Sequence, residues 1–184
     1  MVADSANVLV VSPKLGVNSL REFIALAKKQ PGVLTFASSG NGTNPHLTGE
    51  LFKLMAGIDL THVPYKGTAL SIPDLANGGV SSLFDITVSA MPPIKAGQVK
   101  PLAVTSAKRT AVLPDTPTVI ESGLAGFEVS NWYAVAAPAA TSPAIVKRLN
   151  AEILTVLTVP ELKKRFFELA ADPFGSTPEQ LAAY

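Results

Sequence analysis

Short apolar runs alternate with amphipathic stretches along most of the chain. Val8 to Val11 is continuously apolar and predicts a buried strand. Ser19 with Glu22 three residues on predicts a helix start closed by a capping box. Leu20, Phe23, Ile24 and Ala27 then follow at the spacing of one helix face, and Pro31-Gly32 stops it. Val33 to Ala37 predicts a second strand, Ser38 to Thr43 a turn, and Asn44 a helix cap with Pro45 at the first helical position. Leu47, Leu51, Leu54 and Met55 read as the apolar face of that helix, and Gly57 as its end.

The alternation continues. Leu60 to Val63 predicts a strand, Tyr65 to Thr68 a turn, and Ala69 to Asn77 a helix. A strand at Ser82 to Ile86 precedes a helix near Val88 to Ala96, which Pro92-Pro93 should kink or shorten. Leu102 to Thr105 is a further strand. Strands alternating with helices of this length predict an α/β chain with a mostly parallel sheet. Beyond it, Leu113 to Pro117 reads as a loop, Thr118 to Ser122 as a short helix and Glu128 to Pro138 as an extended segment. Ser142 to Leu157 predicts a helix with Ile145, Leu149, Ile153 and Leu157 at i+4 spacing. Pro160 to Ala170 predicts another, and Thr177-Pro178-Glu179 opens a last one that the chain end cuts short.

Composition removes several functions. The 184 residues carry 15 Lys plus Arg against 14 Asp plus Glu, a net charge of +1, which offers no field for nucleic acid. With no cysteine there is no disulfide, thiolate metal site or cysteine nucleophile. Apolar residues at 47% make disorder a poor reading. The longest uncharged central run, Val129 to Val146, is broken by Pro138 and Pro143 and does not read as a spanning helix. The start lacks a basic n-region and carries Asp4, so it does not read as a signal peptide.

Candidate chemistry sits in the turns. Ser38-Ser39-Gly40-Asn41-Gly42-Thr43 joins a strand to a helix N-terminus, where backbone N–H groups and the helix dipole attract an anion; an ordinary βα turn with good capping chemistry reads equally well. It is neither a Walker loop nor a dinucleotide fingerprint. Tyr65-Lys66-Gly67-Thr68 is a second strand-to-helix turn, able to converge on the same ligand or to be a plain surface turn. Asp85 ends an apolar strand as a cleft residue or a cap. His46 and His62 have no helical or ligand-like spacing and read as structural. Trp132-Tyr133 reads more readily as packing than as ligand stacking. No acid–base pair or nucleophile set stands out, and no metal or cofactor site is read.

Asn41-Gly42-Thr43, HVPYKGT at His62 to Thr68, and LFD at Leu83 to Asp85 stand in order with IKAGQVKPLAVTSAKR at Ile94 to Arg109. LPDTPTVIESGLAGFEVSNWYAVAAPA at Leu113 to Ala139 and GSTPEQLAAY at Gly175 to Tyr184 follow. With these motifs the whole chain closely resembles the Bug family, the extracytoplasmic solute-binding receptors of tripartite tricarboxylate transport systems. The resemblance implies a periplasmic-binding-protein-like fold of two α/β lobes closing on a small carboxylate, with water between ligand and protein. It implies ligand contacts from Ser38, Ser39, Gly40, Asn41, Gly42 and Thr43, from Tyr65, Lys66, Gly67 and Thr68, and from Asp85.

Family members are longer and begin with a signal peptide and a proline- and glycine-rich ligand loop, so the chain reads as a fragment. Residues 1–12 would be the first crossover strand. Residues 13–127 would be one complete parallel-sheet lobe, and residues 128–184 the second crossover with a C-terminal part of the other lobe. The resemblance implies a periplasmic, non-enzymatic receptor partnered by membrane transporter subunits. Two other readings remain: a folded remnant that binds nothing, and a small hydrolase using Ser39, against which the missing base argues. The apolar faces of the late helices (Leu162, Phe166 and Leu169 on the second) predict self-association, or a segment-swapped dimer hinged at Glu128 to Pro138.

Overall fold

A computed structural model describes residues 1–183. The chain forms two compact units, Ala6–Ser130 and a smaller one made of Met1–Ser5 with the residues from Asn131 onward.

The larger unit contains most of β1 (Ala3–Val11), then α1 (Leu20–Lys29), β2 (Thr35–Ser38), α2 (Asn44–Ala56) and β3 (Thr61–Pro64). α3 (Ile72–Asn77), β4 (Ser82–Ile86), α4 (Thr87–Lys95) and β5 (Lys100–Val104) complete it. The sheet order is β3-β2-β4-β1-β5. β2 runs parallel to β3 and β4, but β1 pairs antiparallel with both β4 and β5. The sheet is therefore mixed: β2, β3, β4 and β5 share one direction, as the parallel-sheet reading of residues 13–127 expects, and β1, from the segment before them, runs against them. Val11 and Phe36 both pair with Ser82, so the chain leaves β1 and enters β2 at one edge. α1 and the loop before it thus form a return connection, not a parallel crossover. An all-apolar run such as Val8–Val11 carries no signal of direction.

That run is apolar throughout because both faces of β1 are covered. Leu9 and Val11 pack with Leu20, Phe23, Phe36, Phe52, Phe84 and Phe127 on one face. Val8 and Val10 pack with Leu75, Val80, Leu83, Ala90 and Val104 on the other. Phe52 lies between Phe84 (5.4 Å between centroids), Phe127 (6.0 Å) and Phe23 (6.3 Å), joining α2, β4, α1 and the segment before β6.

α2 inverts the sequence reading. Its buried side is Pro45, Thr48, Gly49, Phe52 and Ala56, while Leu47, Leu51, Leu54 and Met55 face outward, Leu54 at 79% exposure. Polar groups and a glycine decide this orientation. The fully buried Asn7 amide donates to Asn44 Oδ1 (2.6 Å) and Thr48 Oγ1 (3.1 Å), drawing that polar side inward. Gly49 lets the helix approach the Phe36 ring, where any Cβ would collide.

Other elements differ locally. Ser19 accepts from Glu22 N (3.2 Å), while the Glu22 carboxylate takes Asn18 N (2.7 Å) instead of the cap's own amide. Asn44 is the first residue of α2, and Thr43 occupies the cap. The segment read as one helix from Ala69 is a 3-10 turn, Thr68–Ser71, followed by α3. α4 continues through Pro92 and Pro93. Thr118 to Ser122 is a turn and no helix: Thr118 bridges to Val104, and although Thr118 and Glu121 exchange the two hydrogen bonds of a capping box (2.9 and 3.0 Å), the chain turns away at Gly123 (φ 113°).

The smaller unit holds the rest of β6 (Ser130–Tyr133), then α5 (Pro143–Val156), α6 (Pro160–Glu168), β7 (Asp172–Pro173) and α7 (Pro178–Ala183). β7 pairs with Ala3 and Asp4 of β1. The Met1 ammonium donates to Ser176 Oγ (2.6 Å), and Thr177 and Gln180 form a capping box at α7. Among the described residues, α5 and α6 bury none of their side chains fully.

Candidate functional site

β2, β3 and β4 share a direction, so their carboxyl ends lie along one edge of the larger unit's sheet. Both candidate turns and Asp85 lie on this edge. The turns touch each other: Tyr65 N donates to Ser38 O (3.0 Å), and a Cβ on Gly40 would stand 3.6 Å from Tyr65 O.

The first turn is shaped by its own hydroxyls. Ser38 is fully buried; its Oγ takes Gly40 N (3.1 Å) and lies 2.6 Å from His62 Nε2. Thr43 Oγ1 donates to Gly40 O (2.7 Å) and makes no cap bond to α2. His46 N, at the third helical position, therefore lacks the side-chain acceptor that an N-cap hydroxyl normally supplies, Pro45 before it has no N–H, and Asn44 N at the first position is one of the N–H groups that a helix start leaves without an intrahelical partner. Ser39 is half-buried, while Asn41 and Gly42 are exposed. Gly40 (φ 125°) and Gly42 (φ 76°) hold backbone conformations that residues with a Cβ adopt only under strain.

The histidines, read as structural, belong to this turn. Gly42 N donates to His46 Nδ1 (3.0 Å), so that nitrogen is unprotonated and Nε2 carries the hydrogen in the neutral ring. His46 stacks on His62 (4.1 Å between centroids), and His62 on Phe36 (4.8 Å). Burial first, and then the neighbouring His46, push the His62 pKa down. The two rings form a stacked shelf at the turn. One comes from α2 and the other from β3, so only the parallel register of β2 with β3 brings them together. No spacing in the sequence could have signalled it.

The second turn is more polar. Tyr65 OH donates to Asp74 Oδ2 (2.6 Å); burial, with this bond second, pushes its pKa up to about 12. Lys66 is exposed, Gly67 has φ 140°, and Thr68 starts the 3-10 turn. Asp85 is buried at the end of β4, where Oδ1 accepts from Ile86 N (2.9 Å) and the Thr68 side chain adds a second bond. Burial raises its pKa to about 6. Trp132 and Tyr133 lie in β6 of the smaller unit with about half their surface exposed.

A buried polar network went unread. Asn7 N donates to Thr105 Oγ1 (2.9 Å), whose hydroxyl lies 2.6 Å from Val129 O, and Asn44 Nδ2 donates to Ser130 O (3.4 Å). It ties the first residues of α2 to β1, to Thr105 just past β5 and to the start of β6. Asn7 next to an apolar run was the available signal.

Residues 1–184 match the family described as tripartite tricarboxylate transporter family receptor. Protein BugT of Bordetella pertussis is 35% identical over 184 residues, 100% of this chain and 56% of that protein. Three solved structures are similar. Rpa4515 of R. palustris with adipate has a TM-score of 0.89 at 37% identity, over 99% of this chain and 61% of that one. The periplasmic binding protein BugD gives 0.84 at 34%, over 99% and 62%. MatC of Rhodopseudomonas palustris with bound malate gives 0.80 at 30%, over 97% and 60%. The chain thus spans a little over half the length of the relatives it matches.

Proposed function

The chain belongs to the tripartite tricarboxylate transporter receptor family, a family of binding proteins and not of enzymes, and from that premise we propose that it supplies one side of a receptor site for a small carboxylate. One carboxylate of the ligand sits at the N-terminus of α2, against the Ser38–Thr43 turn, with the Tyr65–Thr68 turn and Asp85 beside it. The uncapped first turn of α2 carries the reading. Its cap hydroxyl is turned away, so backbone donors and the helix dipole are left for an anion, an attraction of about 0.3–2 kcal/mol depending on burial. Relatives holding adipate and malate support the ligand class.

In the whole protein the receptor works in the periplasm and hands its ligand to the membrane subunits of the transporter. No helix among the described residues is long and apolar enough to cross a membrane. Residues 13–127 form the ligand-bearing lobe in this reading, and the later residues contribute to the other.

Calorimetric titration with succinate, malate and adipate tests the proposal. Binding of at least one at micromolar to millimolar affinity is expected, with weakening in Gly42→Val. No Cβ at Gly42 would meet a neighbour, so that weakening would come from its φ of 76°, which deforms the turn. A chain that folds but binds none of them is a remnant without receptor activity. Unchanged affinity in Gly42→Val, or a carboxylate located elsewhere with the turn empty, rejects the site.

A further inference from the structure

Asp85 differs from every other group at the candidate site. It is the charged residue of the larger unit that is buried, at 3% exposure. It also lines a cavity of about 470 Å³, opening between the Thr68–Ser71 turn, α3 and α4, a size in the range of metabolite pockets. The other polar groups on the walls are Thr68, Ser89 and Gln98, and no cation lies among them. A buried carboxylate is ordinarily paired with a cation or coordinates a metal. This one has only the Ile86 amide and the Thr68 side chain. A carboxylate offers about four acceptor positions, so acceptor capacity remains toward the cavity.

Its placement relative to the turn follows from register. Ala37 pairs with Leu83 and the two strands run parallel, so the Ser38 end of β2, where the turn begins, and the Asp85 end of β4 lie at the same edge of the sheet. Side chains alternate along a strand, and Leu83 packs with Leu75 and Ala90 of α3 and α4. Asp85 therefore projects to that same side, at the same sheet edge as the turn. A second ligand carboxylate placed against Asp85 would meet like charge with nothing to offset it.

We infer that the Asp85 cavity recognises a hydrogen-bond-donating substituent of the carboxylate ligand, a hydroxyl or an ammonium group. This rests on the receptor reading above and narrows it: the ligand is a carboxylate bearing a donor substituent, not a plain alkane dicarboxylate. Asp85 then sets specificity, with Thr68 holding its carboxyl in position.

Succinate, malate and aspartate share a four-carbon dicarboxylate frame and differ in hydrogen, hydroxyl or ammonium at one carbon. Titration of the chain with each, at pH 7.5, tests the inference. Malate or aspartate should bind about 10- to 100-fold more tightly than succinate, the range of one hydrogen bond to a charged group. Whichever is preferred tells a hydroxyl from an ammonium site. Asp85→Ala should reduce that preference to within about threefold, through a loss of malate or aspartate affinity larger than any change for succinate. Asp85→Asn, which keeps an acceptor oxygen for Ile86 N, should lose an ammonium preference and retain part of a hydroxyl preference; circular dichroism melting checks that both variants fold. Equal affinities for the three ligands in the parent protein would overturn the inference while leaving the receptor reading intact. So would an equal loss for all three in the folded variants. Absence of binding by all three overturns the receptor reading itself, and the inference with it.

Discussion

The two units are built from similar sequence patterns and reach different degrees of burial. In the larger one, five phenylalanines and the two faces of β1 lie fully buried. In the smaller one, α5 and α6 are equally amphipathic, yet Ile145 (54% exposed), Leu149 (49%) and Phe167 (52%) remain in solvent. Periodicity states which face of a helix is available for packing. Burial needs a partner surface from elsewhere in sequence. An apolar stripe is thus a local property and a core is not. α2 makes the same point inside the larger unit, where a polar network and a glycine bury the side that the leucines do not occupy.

Substitutions can break this contrast. Phe52→Ala removes the ring shared by Phe23, Phe84 and Phe127 and should cost about 3–5 kcal/mol in urea denaturation. Leu149→Ala in α5 should cost under about 1 kcal/mol, and comparable losses at the two sites would show that the smaller unit is packed after all.

Next in size is the effect of pH through Asp85. Its folded pKa of about 6 lies above the ordinary 3.8, so between those values the folded protein retains a proton that the unfolded chain has released. Stability therefore falls as pH rises from about 4 to about 6, by about 3 kcal/mol. Asp85→Asn should flatten that part of the profile and be the more stable protein at pH 8. A parent profile without the slope would show that the carboxyl is solvated.

Two glycines sharpen the comparison at smaller scale. A methyl at Gly49 runs into the buried Phe36 ring, and Gly49→Ala should cost about 1–3 kcal/mol. At Gly175 the obstacle is the tip of a half-buried Leu154 side chain, which can turn aside, so Gly175→Ala should change stability by about 0.5 kcal/mol or less. Last, the exposed stripe of α5 should promote self-association and bind a hydrophobic dye, and Leu149→Glu should lessen both; light scattering of a monodisperse parent near 19.2 kDa with no dye signal would contradict this.

Most elements were legible because their signals are local. Ser19 with Glu22, Pro45 in the first turn of α2, and Ser142 before α5 each announce a helix through groups a few residues apart. The direction of β1, the exposed side of α2 and the turn at Thr118 were not, because partners far away in sequence settle each of them. The candidate site divides the same way. Its turns could be read from glycines and hydroxyls, and Asp85 from its place at the end of an apolar strand. The histidine shelf at the turn depends on strand register, which a single sequence does not display.

The antiparallel strand has a consequence for how the protein is made. Val8 pairs with Asp85 on one side and Val104 on the other, so β1 finds both of its neighbours only in strands that lie more than seventy residues further along the chain. Local contacts such as α1 form early, whereas β1 closes only after β4 and β5 have been synthesised, an ordering that slows folding. Throughout that interval the apolar Val8–Val11 stretch presents an unpaired edge to other nascent chains, and translation speed past residue 104 becomes a determinant of yield.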